Sequence, residues 1–200
     1  MKFLLPALML AAAPAFAATA VVGQPAPAFS VTDASGKAVS LADFKGKTVV
    51  LEWVNPGCPY VRKHYDSANM QATQKGAVGQ GVVWLAVNST AQDHYDYKKP
   101  ADMAAWMQSQ KAAATHTLMD SDGKIGKAYG ARTTPHMYIV DAKGTLAYAG
   151  GIDDKPSSNP ADVKTAKNYV NAALADVLAG KAVTQAVTRA YGCTVRYSDT

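Results

Sequence analysis

The sequence of 200 residues predicts an α/β fold: a mixed central sheet flanked by helices, with an N-terminal β-hairpin ahead of it and a C-terminal tail behind it. Three observations lead there. Thr48 to Val54 and Gly81 to Asn88 are short, nearly continuous apolar runs rich in valine and tryptophan, the pattern of strands covered on both faces. Each is followed by a segment with helical character, the alternation that builds parallel strands. Further on, two strand-like runs flank the turn Asp141-Ala142-Lys143-Gly144, which makes them an antiparallel pair and the sheet mixed.

The chain opens on Met1-Lys2, an apolar stretch over residues 3–13, and small residues at Ala15-Phe16-Ala17 and Ala18-Thr19-Ala20. This is a signal-peptide pattern over residues 1–20, with cleavage after 17 or 20. The run is too short and alanine-rich for an anchor, and no later segment approaches the roughly 20 apolar residues of a membrane span, so no stable membrane insertion is expected. No cysteine near the cleavage site could carry a lipid. The expectation is an exported protein, periplasmic in a bacterium, where two cysteines can pair. Residues 21–180 then form one domain large enough for its own core, and residues 181–200 a tail.

Within the domain, residues 29–33 and 38–41 read as a hairpin around Ala34-Ser35-Gly36-Lys37. A strand over 48–54 and a helix over 60–75 follow, then a strand over 81–88 and a helix over 102–110. Asp120-Ser121-Asp122-Gly123 is a turn, residues 124–129 a short helix that Gly130 can end, and residues 136–140 and 145–149 the antiparallel strands. A closing helix over 161–178 carries Val163, Ala166, Val170, Ala173, Leu174 and Val177 on one face, with Gly180 just beyond. The formal charge is +5, about +4 once Lys2 is removed, and the basic residues are scattered, which indicates solubility and no nucleic-acid partner.

The chemistry is concentrated at Cys58. Asn55-Pro56-Gly57 breaks the strand before it, and Pro59 suits the first turn of a helix because its missing N–H costs nothing there. Cys58 thus falls at a helix N-terminus, where unpaired N–H groups and the helix dipole favour the thiolate, the reactive form of cysteine. Thiol redox chemistry is the first expectation.

The order βαβα followed by ββ and α is the thioredoxin arrangement, and three stretches resemble the redoxin branch of thioredoxin-like proteins. These are Asn55 to Val61 (NPGCPYV), Thr133 to Asp141 (TTPHMYIVD) and Tyr148 to Asp154 (YAGGIDD). That branch includes the alkyl hydroperoxide reductase and thiol-specific antioxidant group and the periplasmic thiol–disulfide oxidoreductases. The tail Tyr191-Gly192-Cys193-Thr194-Val195-Arg196-Tyr197 also resembles the ending of a poorly characterised subgroup. The resemblance implies a cis bond at Thr134-Pro135, whose backbone would pair with an extended substrate beside Cys58.

The sequence departs from the better-known members in ways that remove readings. Val61 stands where a dithiol site would have its second cysteine, and Leu51 and Asn55 stand where a typical peroxiredoxin has Pro and Thr or Ser, although Asn55 could still donate a hydrogen bond. Arg62 is expected to point to solvent. A resolving thiol for Cys58 can come from within the chain only as Cys193, which a returning tail could bring within reach. Their pairing could be redox-active, or a permanent clip worth about 4–5 kcal/mol, or absent.

The resulting expectation is an oxidoreductase that exchanges disulfides with proteins through Cys58, resolved by Cys193. Asn55, Pro59, Thr134 and Pro135 are the expected substrate-binding residues: Asn55 or the backbone N–H groups near Cys58 stabilise charge at the sulfur, and Thr134 and Pro135 present backbone to the substrate. Without a flavin, nucleotide or metal motif, no cofactor is expected and electrons come from another protein. The alternatives are a reductase of small peroxides and a non-catalytic thioredoxin-like binding module. Copper delivery would need His64, His94, His116 or His136 as ligands; Arg62 occupies the second cysteine position of copper chaperones, and lone histidines are rarely ligands. Asp120 to Gly123 lacks the further acidic positions of a calcium loop. The segment His94 to Pro100 reads as a solvated connection with its two tyrosines packed down.

Overall fold

A computed structural model describes residues 19–198; the expected signal segment up to residue 18 lies outside the described residues. The hairpin is β1 (Ser30–Thr32) and β2 (Ala38–Ser40). The central sheet comprises β3 (Val49–Trp53), β4 (Val83–Asn88), β5 (His116–Met119), β7 (His136–Val140) and β8 (Leu146–Gly150) in the order β5-β4-β3-β7-β8. β3, β4 and β5 run parallel, while β7 is antiparallel to β3 and β8 to β7. The two-residue strand β6 (Thr133–Thr134) stands apart and pairs with β9 (Cys193–Thr194).

Side chains alternate across β3 with period two, which divides the core. Val50 and Val54 point to the face covered by α1 (Pro59–Asp66), α2 (Asn69–Val78), α3 (Pro100–Ser109) and α5 (Tyr169–Leu178), where Val61, Met70, Met103 and Val170 meet them. Val49, Leu51 and Trp53 point to the other face, closed by the hairpin and by α4 (Lys124–Tyr129) through Val39, Ile125 and Tyr129. Gly130 ends α4 in the left-handed conformation, as a C-terminal glycine should.

Two expected helices are broken, each where bonds to side chains or to distant backbone take over the groups a continuous helix would use. Residues 60–75 split at Ser67 and Ala68, where the Gln71 Nε2 donates to the Tyr65 and Gln110 carbonyls at 2.9 and 2.8 Å, and Ser67 Oγ donates to His64 O at 3.3 Å. Residues 161–178 become a 3-10 turn at Pro160–Thr165 and the ten-residue α5. Between them the chain is tied to the segment after β8: Lys167 N donates to Asp154 Oδ1 and Tyr169 N to Ile152 O, while Asn168 caps α5 through Asn171 N. The strands β5, β6 and β9 were not expected from the sequence. Tyr95 is not packed down; it is 84% exposed, against the side of His94. Arg62 points outward as expected and pairs with Asp66.

One polar group interrupts the core. Glu52, in the middle of β3, is fully buried and accepts from Tyr65 OH at 2.9 Å, Gln74 Nε2 at 3.0 Å and Trp84 Nε1 at 2.8 Å. Burial raises its carboxyl from 4.5 to about 7, against the lowering effect of those donors. Between those two values the folded chain holds a proton that the unfolded chain has lost, so the contribution of Glu52 is complete below pH 4.5 and declines as pH rises through about 7. Glu52→Gln removes this titration. Urea denaturation across that range should show wild type losing about 3 kcal/mol relative to the variant. The buried His64 and the half-buried His136, both lowered to about 4, give the opposite slope and cancel in the difference. A pH-independent difference would show that Glu52 titrates alike in both states.

Candidate functional site

Strand β3 delivers the chain to the turn Asn55-Pro56-Gly57, which the Asn55 side chain holds by accepting from Gly57 N at 2.8 Å, while Cys58 N donates to the Asn55 carbonyl at 3.0 Å. Cys58 is then the N-cap of α1 and Pro59 its first residue. The cysteine is 1% exposed, and its sulfur lies 3.0 Å from the carbonyl oxygen of Thr134, an acceptor for the thiol proton in the reduced state. The Thr134-Pro135 bond is cis, as the resemblance implied.

Cys58 is disulfide-bonded to Cys193, with Cα atoms 5.9 Å apart. The tail returns to make this bond along a continuous path. Residues 186–188 run beside β8, with Ala149 N donating to Ala186 O and Thr188 N to Ala149 O. The tail next crosses Gly150 and Gly151, where a Cβ on either would collide with Thr188 or Arg189. β9 then pairs antiparallel with β6, Cys193 opposite Thr134, and Val195 N donates to Arg132 O at 3.0 Å. Beyond it, Ala91 N donates to Arg196 O at 2.8 Å, and Tyr197 lies over the glycines at 123 and 126, its hydroxyl donating to Ala131 O. The backbone expected to face a substrate is therefore occupied by the chain's own tail.

Tyr191 anchors this path in a buried polar cluster. Lys63 and His64, on α1, and Asp153 are 1%, 0% and 2% exposed. The Tyr191 hydroxyl donates to Asp153 Oδ1 and lies 3.3 Å from both Lys63 Nζ and His64 Nε2. Lys63 Nζ also donates to Lys155 O at 2.7 Å and lies 3.4 Å from Asp153 Oδ2. Burial first, then the charge of Lys63, holds His64 down to about 4 against the pull of Asp153, so it is neutral. Asn69 Nδ2 lies 2.9 Å from its Nδ1, which leaves the ring proton on Nε2, toward Tyr191. Burial, followed by the Asp153 carboxylate, raises the Tyr191 phenol well above its usual range.

Cys58, Cys193, Asn55, Pro59, Thr134 and Pro135, the expected site residues, lie together at one end of β3 and β6. Lys63, His64, Asp153, Tyr191 and Gly192 were not among the expected site residues. Asp153 and Tyr191-Gly192 stood inside two of the quoted motifs, and the adjacent Lys63-His64 one turn into the helix was the remaining signal. The four histidines are dispersed: His116 pairs with Asp33 at 2.9 Å, and His136 accepts from Arg132 N. Among the described residues no three His, Cys, Asp or Glu side chains converge as a metal site. Asp120 is a helix-entry turn, its carboxylate accepting from Ile125 N and Gly126 N.

Residues 22–149 match the AhpC/TSA family. The chain belongs to this family. Thiol-disulfide oxidoreductase ResA of Bacillus thuringiensis subsp. konkukian is 28% identical over 132 residues, covering 62% of this chain and 66% of that protein's length. Thiol:disulfide interchange protein DsbE of Yersinia pestis is 28% identical over 148 residues, covering 71% of each. An uncharacterized conserved protein from Geobacillus kaustophilus shares the fold over 90% of this chain and 94% of its own, with a TM-score of 0.77 at 24% identity. The AhpC/TSA match ends before Asp153, Tyr191 and Cys193.

Gly192 has φ 141°, and a Cβ there would collide with the Thr134 carbonyl. Gly192→Ala should therefore unseat the tail from β6. If about 2 kcal/mol of tail seating is lost, the Cys58–Cys193 reduction potential rises by about 40 mV, read by thiol trapping in dithiol buffers. An unchanged potential would show that the tail does not depend on this contact.

Proposed function

We propose that this AhpC/TSA member is an exported thiol–disulfide oxidoreductase that exchanges disulfides with proteins through Cys58, with Cys193 as its resolving thiol. The observation that carries this reading is the disulfide at the N-cap of α1 beside the Thr134 carbonyl: the helix start favours Cys58 as a thiolate, whether attacking or leaving. The names of the ResA and DsbE relatives support the same class. Export rests on the N-terminal sequence pattern, and among the described residues no helix is long and apolar enough to cross a membrane.

In the disulfide form Cys58 is covered while Cys193 is half-buried, so a thiolate of a protein electron donor has its access at the Cys193 sulfur. The S–S bond breaks and its electron pair leaves on Cys58. The donor's second thiol then releases Cys193 and carries away the donor's disulfide. Cys58 thiolate attacks a disulfide of the protein substrate, expelling one substrate thiolate, and Cys193 attacks the Cys58 sulfur to expel the other. Two electrons pass from donor to substrate, and the Cys58–Cys193 bond is restored.

Peroxide reduction is the second reading, favoured by a relative from Coxiella burnetii named as a candidate bcp peroxiredoxin, 27% identical over 135 residues. Against it, Leu51 faces the side of the sheet opposite the Cys58 cluster.

Thiol-trapping mass spectrometry of the mature protein across dithiol redox buffers tests the exchange reading. The expected result is a Cys58–Cys193 couple between roughly −120 and −270 mV, the range of exchange catalysts. Resistance to reduction below roughly −300 mV would make the bond structural and sink the reading. The reduced chain challenged with hydrogen peroxide should oxidise no faster than an ordinary protein thiol.

A further inference from the structure

The seated tail has the chemistry of a substrate complex. It is an extended, cysteine-containing segment, joined by a disulfide to Cys58 and paired through its backbone with Thr133 and Thr134. Its neighbouring side chains therefore mark subsites. Immediately before the cysteine only glycine fits, because a Cβ would collide with the Thr134 carbonyl. Two residues before it, the Tyr191 hydroxyl meets Lys63, His64 and Asp153, all but fully buried, while its ring meets Tyr60 edge-on with centroids 6.0 Å apart.

A pocket that only anchors a tail has no need of an ion pair, since burying two charges costs several kcal/mol that an apolar lining would avoid. This pocket instead presents donors and an acceptor arranged around one phenol oxygen. A side chain without a hydroxyl would leave those buried groups short of a partner, which is how sites built around an OH discriminate.

We propose that the pocket formed by Tyr60, Lys63, His64 and Asp153 is a specificity subsite for a tyrosine two residues ahead of the reactive cysteine of a partner protein, so that the reduced chain accepts Tyr-Gly-Cys segments in the place of its own tail. This rests on the exchange reading above.

The test uses the full chain carrying Cys193→Ser, which leaves Cys58 as the sole thiol, and pentapeptides whose cysteine is held as a mixed disulfide with 5-thio-2-nitrobenzoate. Cys58 thiolate bonds to the peptide sulfur, the peptide–nitrobenzoate S–S bond breaks, and the coloured aryl thiolate leaves with the electron pair. Tyr-Gly-Cys-Thr-Val is expected to react at least about tenfold faster than Ala-Gly-Cys-Thr-Val or Tyr-Leu-Cys-Thr-Val, with the Phe-Gly-Cys peptide between. Adding Tyr191→Ala to vacate the pocket should speed the tyrosine peptide most. The same series on the fully reduced wild-type chain gives the ranking without any substitution. Equal rates for all peptides would overturn the subsite while leaving Cys58 as an exchange nucleophile. Rates no greater than those of a Cys58→Ser chain would overturn both.

Discussion

A sulfur covered on all sides by its own fold can be paired only by a chain segment that is led to it, and here the leading is done by backbone hydrogen bonds. Thr133 and Thr134 precede a proline, which lacks an N–H, and they stand outside the central sheet with their peptide groups free to pair. The tail supplies those partners through Cys193 and Thr194, and the side-chain register follows: Cys193 faces Cys58, Tyr191 reaches the Lys63–Asp153 pair, and Val195 is buried with the hairpin-side core. The glycines at 150, 151 and 192 belong to this same constraint, since each lies where the tail backbone passes too close for a Cβ.

Legibility of the fold followed the strength of the periodic signal. The continuous apolar strands β3 and β4, the hairpin β7–β8 and the short helix α4 with its glycine stop were readable because each is specified locally. The failures are tertiary. Nothing in the sequence from 60 to 75 says that Gln71 will reach back to the Tyr65 carbonyl, and nothing from 161 to 178 says that Lys167 and Tyr169 will be bound to the segment after β8. β6 and β9 exist only as each other's partners, so neither could be read alone.

The site was legible where chemistry dictates residue type. A cysteine between a strand-breaking turn and a helix-starting proline has few other meanings, and a lone second cysteine near the C-terminus is its natural partner. Lys63, His64 and Asp153 escaped because buried charges resemble surface charges in sequence; Lys63 sits one residue after Arg62, which does face solvent. Glu52 is one polar residue in an apolar strand, and nothing local signals its three donors, which come from α1, α2 and β4.

Linkage ties these groups to the redox chemistry. Reduction removes the covalent tether, and whatever free energy seats the tail in the oxidised state but not the reduced one is added to the stability of the disulfide. For a two-electron couple each kcal/mol of that difference displaces the potential by about 20 mV. Tyr191 among its buried partners, Val195 in the core and Tyr197 against α4 therefore act on the potential without touching either sulfur. With the second sulfur carried on a tail, the poise of the couple becomes a property of the whole docking surface.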